Sequence, residues 1–225
     1  MKPLILTLLC AAAAFAQPVT KLVTLKYADP AALQNVIRTF GVDYNWTNKS
    51  VALRGSPEAV SAAELALKQL DVSPKNIELV VHFLVGSNQP AAGAIPADLV
   101  DVVKQLRATF AFKEYSLLDS LTLRTRAGSS ADTTGIVSPP TSSSPRLTQF
   151  SIRAANVSED GTIRIDRMHA GLRIPVVSQS KVDYLNTGID QDVDVKEGQK
   201  VVVGRASLEG PEKALFLVLT AKVVQ

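Results

Sequence analysis

The side chains of this chain that could do chemistry are two histidines, His82 and His169, and a run of carboxylates, Asp190, Asp192, Asp194 and Glu197. A histidine works as a general base only with a partner within hydrogen-bond reach. His82 sits inside an apolar alternation, on the face shared with Glu78, where a partly buried structural role is expected. His169 follows Met168 in an expected loop. The carboxylates alternate as calcium ligands do, but an EF-hand needs glycine at its sixth position and a carboxylate at its twelfth. Counted from Asp190, those positions are Val195 and Val201. The aspartates then read as a solvated strand face that also resists edge aggregation. No Gly-x-Ser-x-Gly elbow, Gly-rich phosphate loop with lysine or His-Glu-x-x-His pair occurs. The expectation is a non-enzyme with no catalytic, metal or cofactor-binding residues.

The positioning elements begin after a leader. Lys2, the apolar run Leu4 to Ala14 and the small-x-small triplet Ala14-Phe15-Ala16 match a secretory signal peptide over residues 1–16. The run is short of the roughly 20 apolar residues that span a bilayer. Leu9 stands where a lipoprotein signal at Cys10 wants a small residue. Cleavage would remove Cys10, the single cysteine, so the mature chain would rely on core burial rather than disulfides. The formal net charge is +3, without a basic block, which argues against nucleic acid. No second long apolar stretch occurs, so no transmembrane helix is expected in the mature chain.

Residues 17–73 read as strand–helix–strand–strand–helix. Val23, Leu25 and Tyr27 line one face of the first strand. Asp29 caps a helix with Pro30 at its first position, and Leu33, Val36, Ile37 and Phe40 form its stripe up to Gly41. Val42, Tyr44 and Trp46 alternate as a second strand, and Val51 and Leu53 lie in a third beyond the Thr47-Asn48-Lys49 turn. Ser56-Pro57-Glu58 opens a second helix that buries Val60, Ala63, Leu67 and Leu70.

The pattern returns over residues 74–127 as a second βαββ module. A strand over Ile77 to Val85, a helix opened by Pro96, and strands around Tyr115 and Leu123 follow, with a break near Asp119-Ser120. Thr39, Phe40, Ser50, Leu53 and Arg54 recur as Thr109, Phe110, Ser120, Leu123 and Arg124 at one offset of 70, which points to duplication. Residues 128–145, rich in Ser, Thr, Pro and Gly, read as a mobile linker or exposed loop. Residues 146–225 carry several short strands between turns at Glu159-Asp160-Gly161, Glu197-Gly198-Gln199 and Glu209-Gly210-Pro211, an antiparallel sheet or sandwich. The fold class is α+β.

Two stretches carry a family resemblance. "LKYADPAALQNVI" with "KSVALRGSPEAVSAAELALKQLDV" resembles the short periplasmic N-domain of secretins, the outer-membrane channels of type II and type III secretion and type IV pili. "DVDVKEGQKVVVGRASLEG" followed by "KALFLVLTAKVV" is similar to the closing hairpin of the secretin core. The chain departs from the family where a long gate segment is expected, since only Arg205 to Lys213 separates its last two strands. The resemblance therefore implies an exported, non-enzymatic component or accessory of a secretion or pilus apparatus rather than a complete pore. It would lie in the periplasm or at the periplasmic face of the outer membrane, packing on protein partners or on itself in a ring. By the same analogy Tyr44, Trp46, Arg54, Glu58, Glu64 and Lys68 form an interaction surface; core packing is the competing role for the two aromatics. The alternative is a periplasmic signalling or ligand-binding module like the N-terminal domain of TonB-dependent transporters. The sequons Asn45-Trp46-Thr47 and Asn48-Lys49-Ser50 would be idle in the bacterial host that the resemblance implies.

Overall fold

The computed structural model describes residues 17–90, 93–137, 145–178, 181–208 and 210–224. The expected leader over 1–16, with Cys10, lies outside the described residues. The chain divides into two compact units between Pro74 and Lys75. It is mostly β-sheet with few helices, richer in strand than the α+β expectation suggests.

The first unit comprises β1 (Val19–Thr24), α1 (Gln34–Thr39), β2 (Asp43–Thr47), β3 (Ser50–Gly55) and α2 (Pro57–Leu70). Its antiparallel sheet has the order β1-β3-β2. Val23, Leu25, Val51 and Leu53 point to one face and bury against Ile37, Val60, Ala63 and Leu67 from the two helices. Each such side chain contributes roughly 1.5–3 kcal/mol when fully buried. Ser56 caps α2 by accepting from Ala59 N–H at 3.2 Å, with Pro57 at the first helical position. Gly41, at φ +64°, ends the α1 segment in the left-handed region.

Three expectations need correction here. The α-helix starts at Gln34 rather than Pro30, because the preceding turn closes through shorter bonds, Leu33 N–H to Pro30 O and Gln34 N–H to Ala31 O. Asp29 still caps that turn, accepting from Ala31 N–H at 2.9 Å. Tyr27 is 41% exposed rather than in the buried stripe. The Asp71 carboxylate accepts from the backbone N–H groups of Lys26, Tyr27 and Ala28 at 2.6, 2.7 and 2.8 Å, which draws the chain out of the ladder after β1. Leu70, the last residue of α2, is 44% exposed.

The second unit comprises β4 (Asn76–Ser87), α3 (Val100–Thr109), β5 (Glu114–Arg126), β6 (Ala131–Val137), β7 (Arg146–Ile152), β8 (Ala154–Val157), β9 (Thr162–Ser178), β10 (Lys181–Lys196), β11 (Lys200–Ser207) and β12 (Lys213–Val224). One sheet has the order β11-β12-β4-β5, the other β10-β9-β7-β6 with β8 also on β9. Their inner faces share one core, in which Leu79, Phe83, Leu123, Leu215 and Leu217 meet Phe150, Ile163, Ile165, Met168 and Leu172. On the outer side of the first sheet, Leu99, Val102, Val103 and Leu106 of the α3 segment cover Leu84, Tyr115, Phe216 and Val218. β12 is thus buried on both faces, which explains its unbroken apolar run.

The second βαββ module is not a separate repeat. Its expected strand pair is the single β5, and the break at Asp119-Ser120 is a β-bulge where Phe83 opposes Asp119 and Leu84 opposes Leu117. The other edge of β4 is taken by β12, paired from Asn76↔Val224 to Ser87↔Lys213. The expected linker also contains structure. Residues 131–137 form β6, paired with β7 from Ala131↔Ile152 to Val137↔Arg146. The β-branched Thr133, Thr134, Ile136 and Val137 favour extended backbone more than the Ser/Thr/Pro content suggests. Residues 138–144 lie outside the described residues. The short C-terminal strands are partly fused as well, since β9 and β10 run 17 and 16 residues. His169 belongs to β9, not a loop, because β9 absorbs an extra residue in a bulge, where Asp166 and Arg167, the latter at φ +47°, oppose the single Asp192 of β10, and the ladder resumes at Met168↔Gln191. The turns at Glu159-Asp160-Gly161 and Glu197-Gly198-Gln199 are present, with Gly161 and Gly198 at positive φ; in the third, Gly210 is also at positive φ and Glu209 lies outside the described residues.

Candidate functional site

The histidines are placed in strands by their apolar neighbours, and neither assembles a catalytic group. His82 lies on the outer face of β4 with Nδ1 2.7 Å from Ser120 Oγ on β5. Burial lowers its pKa, partly opposed by the Asp98 carboxylate, and Lys200 lowers it further. Asp98 and Lys200 pair with each other at 3.6 Å. A nucleophile–base couple needs a third group orienting the base. No second hydrogen bond to the His82 ring occurs among the described residues. His169 Nδ1 lies 2.7 Å from Asp190 Oδ1 across β9 and β10, at the surface.

The aspartate run is likewise spent on local pairing. Arg164 Nε donates to Asp194 Oδ1 at 3.3 Å, and Arg167 N–H donates to Asp192 Oδ1 at 2.7 Å. Glu197 accepts from Val223 N–H at 2.9 Å and so ties the β10–β11 turn to β12. Among the described residues no cluster of His, Cys, Asp or Glu is arranged to hold a metal ion.

The six residues expected to form an interaction surface are not gathered into one patch. Strand alternation turns Tyr44 and Trp46 to the helix side of the sheet, half-buried and stacked at 5.4 Å between ring centroids. Arg38 Nε donates to Tyr44 Oη at 2.9 Å, which fixes that ring. Arg54 is on the opposite, open face with Asp43 as its cross-strand neighbour. Glu64 and Lys68 come together on α2 at 2.9 Å, and Lys21 of β1 also bonds Glu64. The bond from Lys21, reinforced by Lys68, holds the Glu64 carboxyl below its ordinary pKa. Glu58 is exposed in the first turn of α2.

The open face of the three-stranded sheet carries a groove of about 1070 Å³ with Leu22 and Ala52 as its floor. Leu22 is 67% exposed there. Asn45, Thr47 and Ser50 line it from β2 and β3, and Tyr27, Asp29 and Pro30 from the β1–α1 loop.

Sequence reasoning missed the polar contacts that join distant segments. Glu78 on β4 accepts from Arg124 at 2.6 Å and Lys222 at 2.7 Å, one row across three strands. The Lys222 bond, then the Arg124 bond, lowers the Glu78 pKa. Thr148 Oγ1 donates to Asp119 Oδ2 at 2.5 Å and joins the two sheets through the β5 bulge. The Asp71 clamp is of the same kind, since its donors lie 43–45 residues away. The only legible signal among them was the failure of alternation at Asp119.

No family model and no curated protein matches the chain. Solved structures do. The secretin-domain β-barrel of InvG from the Salmonella SPI-1 injectisome is 12% identical, with TM-score 0.58 over 93% of this chain and 89% of that one. The type II secretin GspD of enteropathogenic Escherichia coli is 11% identical, with TM-score 0.60 over 92% and 87%. The V. cholerae type IV competence pilus secretin PilQ is 12% identical, with TM-score 0.59 over 95% and 79%. At these identities the likeness is one of architecture, and on it the chain has a secretin-like fold.

Proposed function

We propose that this protein is a non-enzymatic component or accessory of a secretion or pilus apparatus in the bacterial envelope, acting by surface packing. One observation carries the reading: secretins of three different systems share its architecture over at least 92% of its length. Fold alone is a weak guide to function. The histidine and carboxylate geometry adds to it, since each of those groups is committed to a neighbouring strand. Export to the periplasm or to the periplasmic face of the outer membrane belongs to the same proposal.

The contacts would be made in the first unit. Its helix side presents Glu58 and Lys68, with Leu65 60% exposed between them and the Tyr44–Trp46 stack on the same side of the sheet. Arg54 would serve a contact on the other face. Light scattering coupled to size exclusion on residues 17–225 should show multimers that grow with concentration. Lys68→Glu, which reverses a surface charge beside Glu64, should shift that equilibrium toward monomer by several-fold. A deletion strain that secretes and assembles pili normally would overturn the reading.

A further inference from the structure

We propose that Asn45 is an acceptor for an N-linked oligosaccharide, attached by an envelope oligosaccharyltransferase that reads a carboxylate two residues before the asparagine. The proposal rests on the export argued above. Asn-x-Ser/Thr triplets begin at Asn45, Asn48 and Asn156, and the proposal revises the expectation of idle sequons at the first of them alone. Such a triplet is an acceptor when it is accessible. The proposed transferase asks for more, an acidic residue two places upstream. Asp43 supplies it for Asn45, whereas Trp46 precedes Asn48 and Ala154 precedes Asn156 at that position. The other two asparagines are thus internal controls within the same chain, and both are exposed.

The fold presents the three required groups together. β2 is an edge strand, paired on one side only, to β3. Its period of two puts Asp43, Asn45 and Thr47 on the open face, all exposed, while Tyr44 and Trp46 are held on the other. None of the three side chains is hydrogen-bonded or ion-paired to another described residue. The Asp43 carboxylate is therefore free to pair with a cation in the groove of an enzyme, and the Thr47 hydroxyl to be recognised beside the acceptor amide. The strand is five residues long, lies at the sheet edge and ends at a two-residue turn with Asn48 at φ +52°.

The donor is a lipid-pyrophosphate-linked oligosaccharide. Asn45 Nδ2 forms a bond to C1 of the first sugar as the bond from C1 to the pyrophosphate oxygen breaks. The lipid pyrophosphate leaves with that electron pair, and the displaced amide proton passes to a base of the transferase. The glycan would cover the Leu22–Ala52 groove and leave the Tyr44–Trp46 side available for protein contacts.

The test is intact-mass and glycopeptide mapping of the full protein purified from the envelope of its own host. A sugar increment is expected on the Asn45 peptide and on neither the Asn48 nor the Asn156 peptide. Asn45→Gln and Asp43→Asn should both remove it, with circular dichroism unchanged, and Asn48→Gln should keep it. Bare Asn45 in exported protein, or an increment that survives Asp43→Asn, overturns the proposal. If fractionation finds the chain inside the cytoplasm, the export reading fails instead. The same protein, routed by a known leader through a strain carrying such a transferase, then decides by the same mapping.

Discussion

At the scale of single residues, Asp71 does the most that its neighbours in sequence do not announce. Its two oxygens satisfy three consecutive N–H groups that left the β1 ladder. The bond from Lys26 N–H, then those from Ala28 and Tyr27, hold its pKa below the ordinary 3.8. A carboxyl depressed on folding stabilises the fold above its unfolded pKa and loses that contribution as pH falls through the folded value. Asp71→Asn should therefore lower the thermal midpoint of the first unit at pH 7, and the gap between variant and parent should close below about pH 4. Equal midpoints at pH 7 would dismiss the clamp. The caps Asp29 and Ser56 were legible because each acts within three residues of itself. Asp71 was not, because nothing local marks an aspartate after a helix as the partner of a loop on the far side of the chain.

At the scale of elements, the long β9–β10 hairpin depends on a backbone approach that only glycine permits. Gly171 and Gly188 face each other, and a Cβ on Gly171 would lie 2.5 Å from Thr187 O and 2.9 Å from Gly188 Cα. Both neighbours are backbone and cannot rotate aside. Gly171→Ala should destabilise the second unit by about 1–3 kcal/mol in chemical denaturation. A change within error would show that the sheet can relax there. Strand existence was legible in this region from Ile163, Ile165, Leu172 and Ile174, which alternate as strand residues do. Strand length was not, because Arg167 and Asp192 interrupt the alternation. A bulge and a loop look alike until the partner strand is known.

At the scale of the whole molecule, the apparent second repeat shows how pairing partners override local order. Helix α3 and strand β4 were legible, and β5 only as two shorter strands on either side of its bulge. That β4 lies between β5 and β12 was not, since the pairing spans more than a hundred residues and leaves no periodic trace. Residues 75–127 expressed alone should accordingly show no cooperative unfolding transition, whereas 75–225 should. A folded 75–127 would restore the repeat as an independent module. The central position of β12 has one further consequence. A ribosome must deliver residue 224 before the sheet around β4 can close, so Ile77, Leu79, Val81 and Phe83 stay uncovered through most of synthesis. The first unit faces no such delay, because all its strands and both its helices have emerged by Leu70. A holding chaperone would therefore find its longest-lived target in the second unit, on nascent β4.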